Sequence, residues 1–115
     1  MKKTIFKQSK YSKRIPKTNK ECYALLDEML SDEYKQVIIE EEILQLHFTL
    51  GLWIRNNWIY PQSKTEINDL MKTFGRKQLF YIEPDDISEV ILNGYRRHLK
   101  RLSKKKNILN LTPKS

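Results

Sequence analysis

The stretch Leu46 to Trp58, L-H-F-T-L-G-L-W-I-R-N-N-W, constrains this chain more than any other part of it. Two Trp, a Phe, a His, an Arg, two Asn and a Gly stand in one otherwise apolar run. Such a run belongs at the centre of a fold, because large apolar side chains gain most when removed from water. Its polar members then need partners there, since an unpaired polar group is costly to bury.

Two backbone readings fit the run. Leu44, Leu46, Phe48, Leu50, Leu52 and Ile54 alternate strictly with other residues, which is the period of a strand. Ile43, Leu46, Leu50, Trp53 and Ile54 also form a helical stripe. With Leu44, Phe48 and Trp58 on neighbouring faces, that helix would be apolar nearly all round, as a central buried helix is. The helix is the preferred reading, over about 41–57. Glu40-Glu41-Glu42 would open it at the positive end of its dipole, and Asn56-Asn57 would close it. A strand buried on both faces is the alternative.

Helical signals surround this segment. Thr18-Asn19-Lys20-Glu21 has the spacing of a capping box and starts a helix at Asn19 with Cys22, Leu25, Leu26 and Met29 inward. Ser31 caps a short second helix carrying Tyr34, Val37 and Ile38. Ser63-Lys64-Thr65-Glu66 is a further capping box, followed by Ile67, Leu70, Met71 and Phe74 and closed by Gly75. Leu79-Phe80-Tyr81-Ile82 reads as a short apolar connection. Pro84, with Asp85 and Asp86 beside the dipole, opens a last helix with the stripe Ile87, Val90, Ile91, Tyr95, Leu99 and Leu102. These elements predict an all-α bundle of four to five helices around the central one. Residues 1–15 read as a basic mobile arm, 16–102 as a single domain, and 103–115 as a Lys-rich tail that frays.

Charge is distributed in blocks. Residues 1–20 carry eight Lys or Arg and no acid, and residues 94–115 carry the same. The middle has six basic and fourteen acidic residues, a net of −8. Basic ends are compatible with simple solvation, with folding back on the acidic body, or with an electrostatic footprint for nucleic acid or an acidic protein. No apolar stretch approaches the roughly 18 to 20 residues of a membrane span, and the basic start has no secretory h-region. Cys22 is the only cysteine, so no internal disulfide forms, and a cytoplasmic setting is the simplest reading. No Cys/His cluster has metal-ligand spacing, and no phosphate loop, H-E-x-x-H or G-x-S-x-G is present, so neither a metal, a cofactor nor catalysis is expected.

His47, Gly51 and Arg55, at i, i+4 and i+8, fall on one face of the central helix. Gly51 would leave a notch there, with a bidentate donor on one side and a titratable one on the other, as an anion site requires. On the structural reading, Gly51 permits close packing, Arg55 pairs with Asp85 or Asp86, and His47 bonds a carbonyl. Asp85 and Asp86 resemble dipole partners more than a magnesium pair, because magnesium draws carboxylates from separate elements. Trp53 and Trp58 read as core anchors rather than a stacking platform. Arg96, Arg97, Lys100, Arg101, Lys104, Lys105 and Lys106 could track phosphates along the last helix, although aromatic residues there are sparse. His98 reads as surface.

The order P-x-T-x-x-E (Pro16, Thr18, Glu21), L-H-F-x-L-G-x-W-I-R-N-N-W (Leu46 to Trp58) and P-D-D-x-S-x-V-I-L (Pro84 to Leu92) resembles a family of small bacterial proteins known only as a domain of unknown function. The resemblance spans about Ile15 to Leu102. It implies a compact, mainly helical bacterial domain and no reaction. The chain departs from the family pattern after Trp58, where Ile59-Tyr60-Pro61 replaces a Gly-Leu continuation. Together these features predict a non-catalytic protein-protein interaction module, with a nucleic-acid-associated protein using the basic ends as the alternative.

Overall fold

The structure, a computed structural model, describes residues 14–76 and 83–109, with the backbone alone for Ile43 and residues 105–109. Among the described residues five helices build an all-α bundle: α1 (Asn19–Met29), α2 (Asp32–Glu40), α3 (43–59), α4 (Lys64–Thr73) and α5 (Pro84–Leu109). The expected Leu79–Ile82 connection, the arm up to residue 13 and the last six residues of the tail lie outside the described residues.

Outside α3 the helix ends follow the predicted chemistry, with one refinement at Thr18. Ser31 Oγ accepts the Tyr34 N–H at 3.1 Å and starts α2. Ser63 and Glu66 form a complete reciprocal box at 3.2 and 2.8 Å. Thr18 Oγ1 accepts the Glu21 N–H at 3.2 Å, but the Glu21 carboxylate accepts the Lys17 N–H at 2.7 Å instead of turning back on Thr18. This is half a capping box. Gly75, at φ 87°, ends α4 in a left-handed residue. The Arg76 N–H then reaches Met71 O at 3.1 Å and the Gly75 N–H reaches Lys72 O at 3.0 Å, the double closure of a Schellman motif.

Helix α3 is a composite. Ile43–Leu46 is α-helical, His47–Gly51 is a π turn, Leu52–Ile54 returns to α, and Arg55–Ile59 is π again. The second π turn is closed by the Tyr60 N–H on Arg55 O at 2.9 Å. An α-helix turns about 100° per residue, so a row of residues four apart drifts by about 40° per step. The wider π turns rotate less per residue. Alternating the two brings the repeat close to four. Leu46, Leu50, Ile54 and Trp58 therefore stay buried over the whole length. Gly51, Arg55 and Ile59 form a second buried row beside them. On the outer side, Leu44, Phe48 and Leu52 are 70%, 69% and 47% exposed, with Asn56 and Tyr60 exposed in the same register.

Two interleaved four-residue rows, one inside and one outside, produce a period of two in the sequence. The strand-like alternation of Leu44 to Ile54 is that pattern on a helix. The expectation of a helix apolar and buried nearly all round is thereby corrected: one apolar row faces solvent. The ends of α3 also shift. Glu40 closes α2 and Glu41 caps it, its N–H on Val37 O at 2.8 Å. The helix starts after Glu42, whose carbonyl accepts the Gln45 and Leu46 N–H groups. Asn56-Asn57 does not end it: Asn57 Nδ2 donates to Trp53 O at 2.9 Å within the helix, which continues to Ile59.

The core gathers Cys22, Leu25, Leu26 and Met29 of α1 with Ile67, Leu70 and Met71 of α4 and the stripe of α5. Trp58 is fully buried and meets Trp53 edge-to-face at 5.5 Å, so the pair anchors the core. In α5, Ile87, Ile91, Tyr95 and Leu99 are buried, whereas Leu102 is half exposed because the helix has passed the end of the body. The helix then runs to Leu109 rather than fraying at Ser103. Among the described residues no helix is long and apolar enough to cross a membrane.

Burial pushes the Cys22 thiol far above its ordinary range, with Glu21 adding to the effect. The thiolate is the reactive form, so Cys22 is inert in the native state. A thiol-specific chromogenic reagent at neutral pH will leave Cys22 unmodified until denaturant is added, and stoichiometric native labelling would contradict this packing.

Candidate functional site

The first π turn of α3 carries His47 and the second begins at Arg55, which brings these two side chains to the start of α5. Arg55 is buried, and its guanidinium is nearly saturated. Nε lies 3.2 Å from Asp85 Oδ1, Nη1 donates to Ser88 Oγ at 2.9 Å, and Nη2 donates to the carbonyl of His47 at 3.2 Å. Ser88, itself fully buried, donates its hydroxyl to Asp85 O at 2.9 Å. A buried cation is tolerated only with such partners.

Gly51 makes this arrangement possible. A Cβ at that position would lie 3.2 Å from Arg55 Nη1, 3.3 Å from Leu46 O and 3.4 Å from Leu92 Cδ1. The notch predicted from the sequence exists, and the chain's own guanidinium lies against it. Arg55 Nη1 also stands 3.5 Å from His47 Nδ1. On the other side of the ring, His47 Nε2 faces Asp85 Oδ2 at 3.8 Å. His47 thus bonds Arg55 through its own carbonyl and points its ring at a carboxylate.

Of the five predicted members, His47, Gly51, Arg55 and Asp85 come together. Asp86 turns away: its Oδ2 accepts the Glu83 N–H at 3.2 Å and ties down the start of α5. Ser88 completes the cluster instead. Its only signal in the sequence is its place one turn after Asp85 on the inward face of α5. The outer rim is open, since the Asp85 side chain is 63% exposed. His47 also meets Phe48 edge-on at 4.9 Å, which joins this polar rim to the exposed apolar row.

The basic positions separate. Arg96 is half-buried and spends Nε on Ile38 O at 2.8 Å, at the negative end of α2. Arg97, Lys100, Arg101 and Lys104 are exposed. Lys105 and Lys106 continue the helix, and their side chains lie outside the description.

One polar cluster was not anticipated. His98 is not a surface residue: its Nε2 lies 3.0 Å from Asp27 Oδ2, and its ring stacks at 4.9 Å on Tyr23 and 5.7 Å on Tyr95. Asp27 Oδ1 accepts the Tyr95 hydroxyl at 2.8 Å. The only trace in the sequence is the one-turn spacing of Tyr95 and His98 beside an acid on α1. A Cβ on Gly94 would collide with the Tyr23 hydroxyl and lie 3.0 Å from the Phe74 ring, so glycine sets the close approach of α1 and α5 here.

A family model described as Domain of unknown function (DUF6794) matches residues 15–99. The chain belongs to this family. The match takes in α1 to α4, the Arg55 cluster and most of α5, and it leaves out the exposed Lys100, Arg101 and Lys104. No curated protein matches the chain, and no solved structure matches it.

Two outcomes follow from this geometry. Arg55→Ala strands Ser88 and the His47 carbonyl and will cost about 3 kcal/mol of stability, and Asp85→Ala, which leaves the buried guanidinium without its carboxylate, will cost about as much. Denaturant titrations of the two variants check both losses. Burial, and then the hydrogen bond to Asp27, hold the Tyr95 phenol well above its ordinary value. The unfolded phenol ionises near pH 10. Stability from this group is therefore complete below about pH 10 and falls as pH rises beyond it. Melting curves across the alkaline range will show a steeper loss for wild type than for Tyr95→Phe.

Proposed function

We propose that this chain is a non-catalytic protein-binding module whose docking surface is the outer row of α3. The observation that carries the reading is the exposure of Leu44, Phe48 and Leu52 at four-residue spacing, 70%, 69% and 47%. Scattered surface leucines are ordinary, but three aligned large apolar side chains are not, and aligned rows of this kind seat a partner helix. The Arg55 cluster supports the row from behind. It fastens α3 to α5 from the inside and leaves His47 and Asp85 as a polar rim next to Phe48. Hydrophobic centres with polar rims are the usual anatomy of an interface.

The partner's chemistry follows from the surroundings. Exposed Glu40, Glu41 and Glu42 lead into the row. A helix presenting its own apolar stripe, flanked by Lys or Arg, matches both the row and its acidic entrance. A bacterial, cytoplasmic setting suits this reading and rests on the family resemblance and the free thiol.

Immobilised wild-type and Phe48→Ser chains, exposed to lysate of the source cells, test it. Phe48 is exposed, so the variant folds as wild type does, which equal melting temperatures verify. A protein retained by wild type and lost with Phe48→Ser is expected, and retention that ignores Phe48 overturns the reading. Should Arg97, Lys100, Arg101 and Lys104 instead bind mixed duplex DNA with a steep salt dependence while no protein depends on Phe48, the electrostatic alternative replaces it.

A further inference from the structure

Resting on that reading, we infer that the basic partner helix is supplied by a second copy of this chain, namely the overhanging end of α5. Among the described residues two exposed apolar features stand out, and the charges around them are opposite. The outer row of α3 begins at three exposed glutamates. The α5 stripe, buried through Tyr95 and Leu99, continues past the body to Leu102, which is 47% exposed among the exposed cations Arg97, Lys100, Arg101 and Lys104. An amphipathic helix end edged by Lys and Arg has the chemistry the α3 row calls for.

Within one chain the apolar parts of the two features, Phe48 and Leu102, stand far apart, although Arg96 of α5 bonds Ile38 O two residues before Glu40. The start of α5 is pinned beside Phe48, because Asp85 contacts both Arg55 and His47. Leu102 lies seventeen residues further along the same helix. At about 1.5 Å per residue this is about 26 Å away along a straight axis. The stripe that would cover the row therefore points away from it in its own molecule.

In a pair related by a two-fold axis, each copy's α5 end covers the other's α3 row. Both rows and both overhangs are then used once, and the contact closes without growing into a fibre. The ion pairs between Glu40–Glu42 and the cations of α5 make the association weaken as salt rises.

Sedimentation equilibrium of the full chain tests the inference. The expected result is a dimer at micromolar concentration in low salt that dissociates in high salt. Phe48→Ser and Leu102→Ser should each be monomeric under the low-salt conditions, with unchanged melting temperatures because both residues are exposed. Mixed in equal amounts, the two variants should associate again, since the pair they form keeps one intact contact of the two. Non-specific stickiness would not show this recovery. A wild-type chain that stays monomeric at millimolar concentration, or a Leu102→Ser variant that dimerises like wild type, overturns the inference. A monomeric chain that still retains a foreign protein through Phe48 would sink the self-pairing while leaving the proposed function standing.

Discussion

The guanidinium of Arg55 holds the architecture of this domain together. It joins the middle of α3 to the first turn of α5 through a hydroxyl, a carboxylate and a backbone carbonyl. It lies beside Gly51, whose missing side chain gives it room. A buried charge of this kind is costly to desolvate, and it is retained only where its geometry is fully satisfied. The energy it contributes is modest compared with the apolar core. Its effect is directional: it fixes which face of α3 turns inward, and so which face is left for solvent.

The helical framework was legible in advance because its signals are local. Ser31, Ser63 and Pro84 act through their own turns, and Gly75 supplies a backbone conformation that other residues avoid. The stripes of α1 and α4 have plain helical periods and pack as those periods require. The ends of α3 were misjudged for an equally physical reason. Three consecutive glutamates look like a helix start, yet Glu40 and Glu41 belong to the end of the preceding helix. Paired asparagines look like a helix end, yet a π turn continues through them.

The harder ambiguity, strand against helix for Leu44 to Ile54, arose because local π winding cannot be read from hydrophobic period alone. A four-residue repeat fits neither an ideal α-helix nor a strand, and two such repeats out of phase imitate a strand. Most of the candidate site was readable, since His47, Gly51, Arg55 and Asp85 do converge. What was missed depends on contacts between distant helices. Ser88 reaches Arg55 across thirty-three positions, and His98 and Tyr95 reach Asp27 across seventy-one and sixty-eight. Nothing in the neighbourhood of these residues announces such partners.

A helix whose buried side chains repeat every four positions has a weakness that its neighbours must correct. Slid along its groove by one repeat, Leu46 would fall where Leu50 belongs and Leu50 where Ile54 belongs, at little loss of packing. Gly51 removes the degeneracy. No other glycine lies within α3, so only one alignment gives the guanidinium its space and brings Ser88 and Asp85 to it. The pair works as a key in an otherwise uniform ratchet, and it sets the height along the molecule at which Phe48 is displayed.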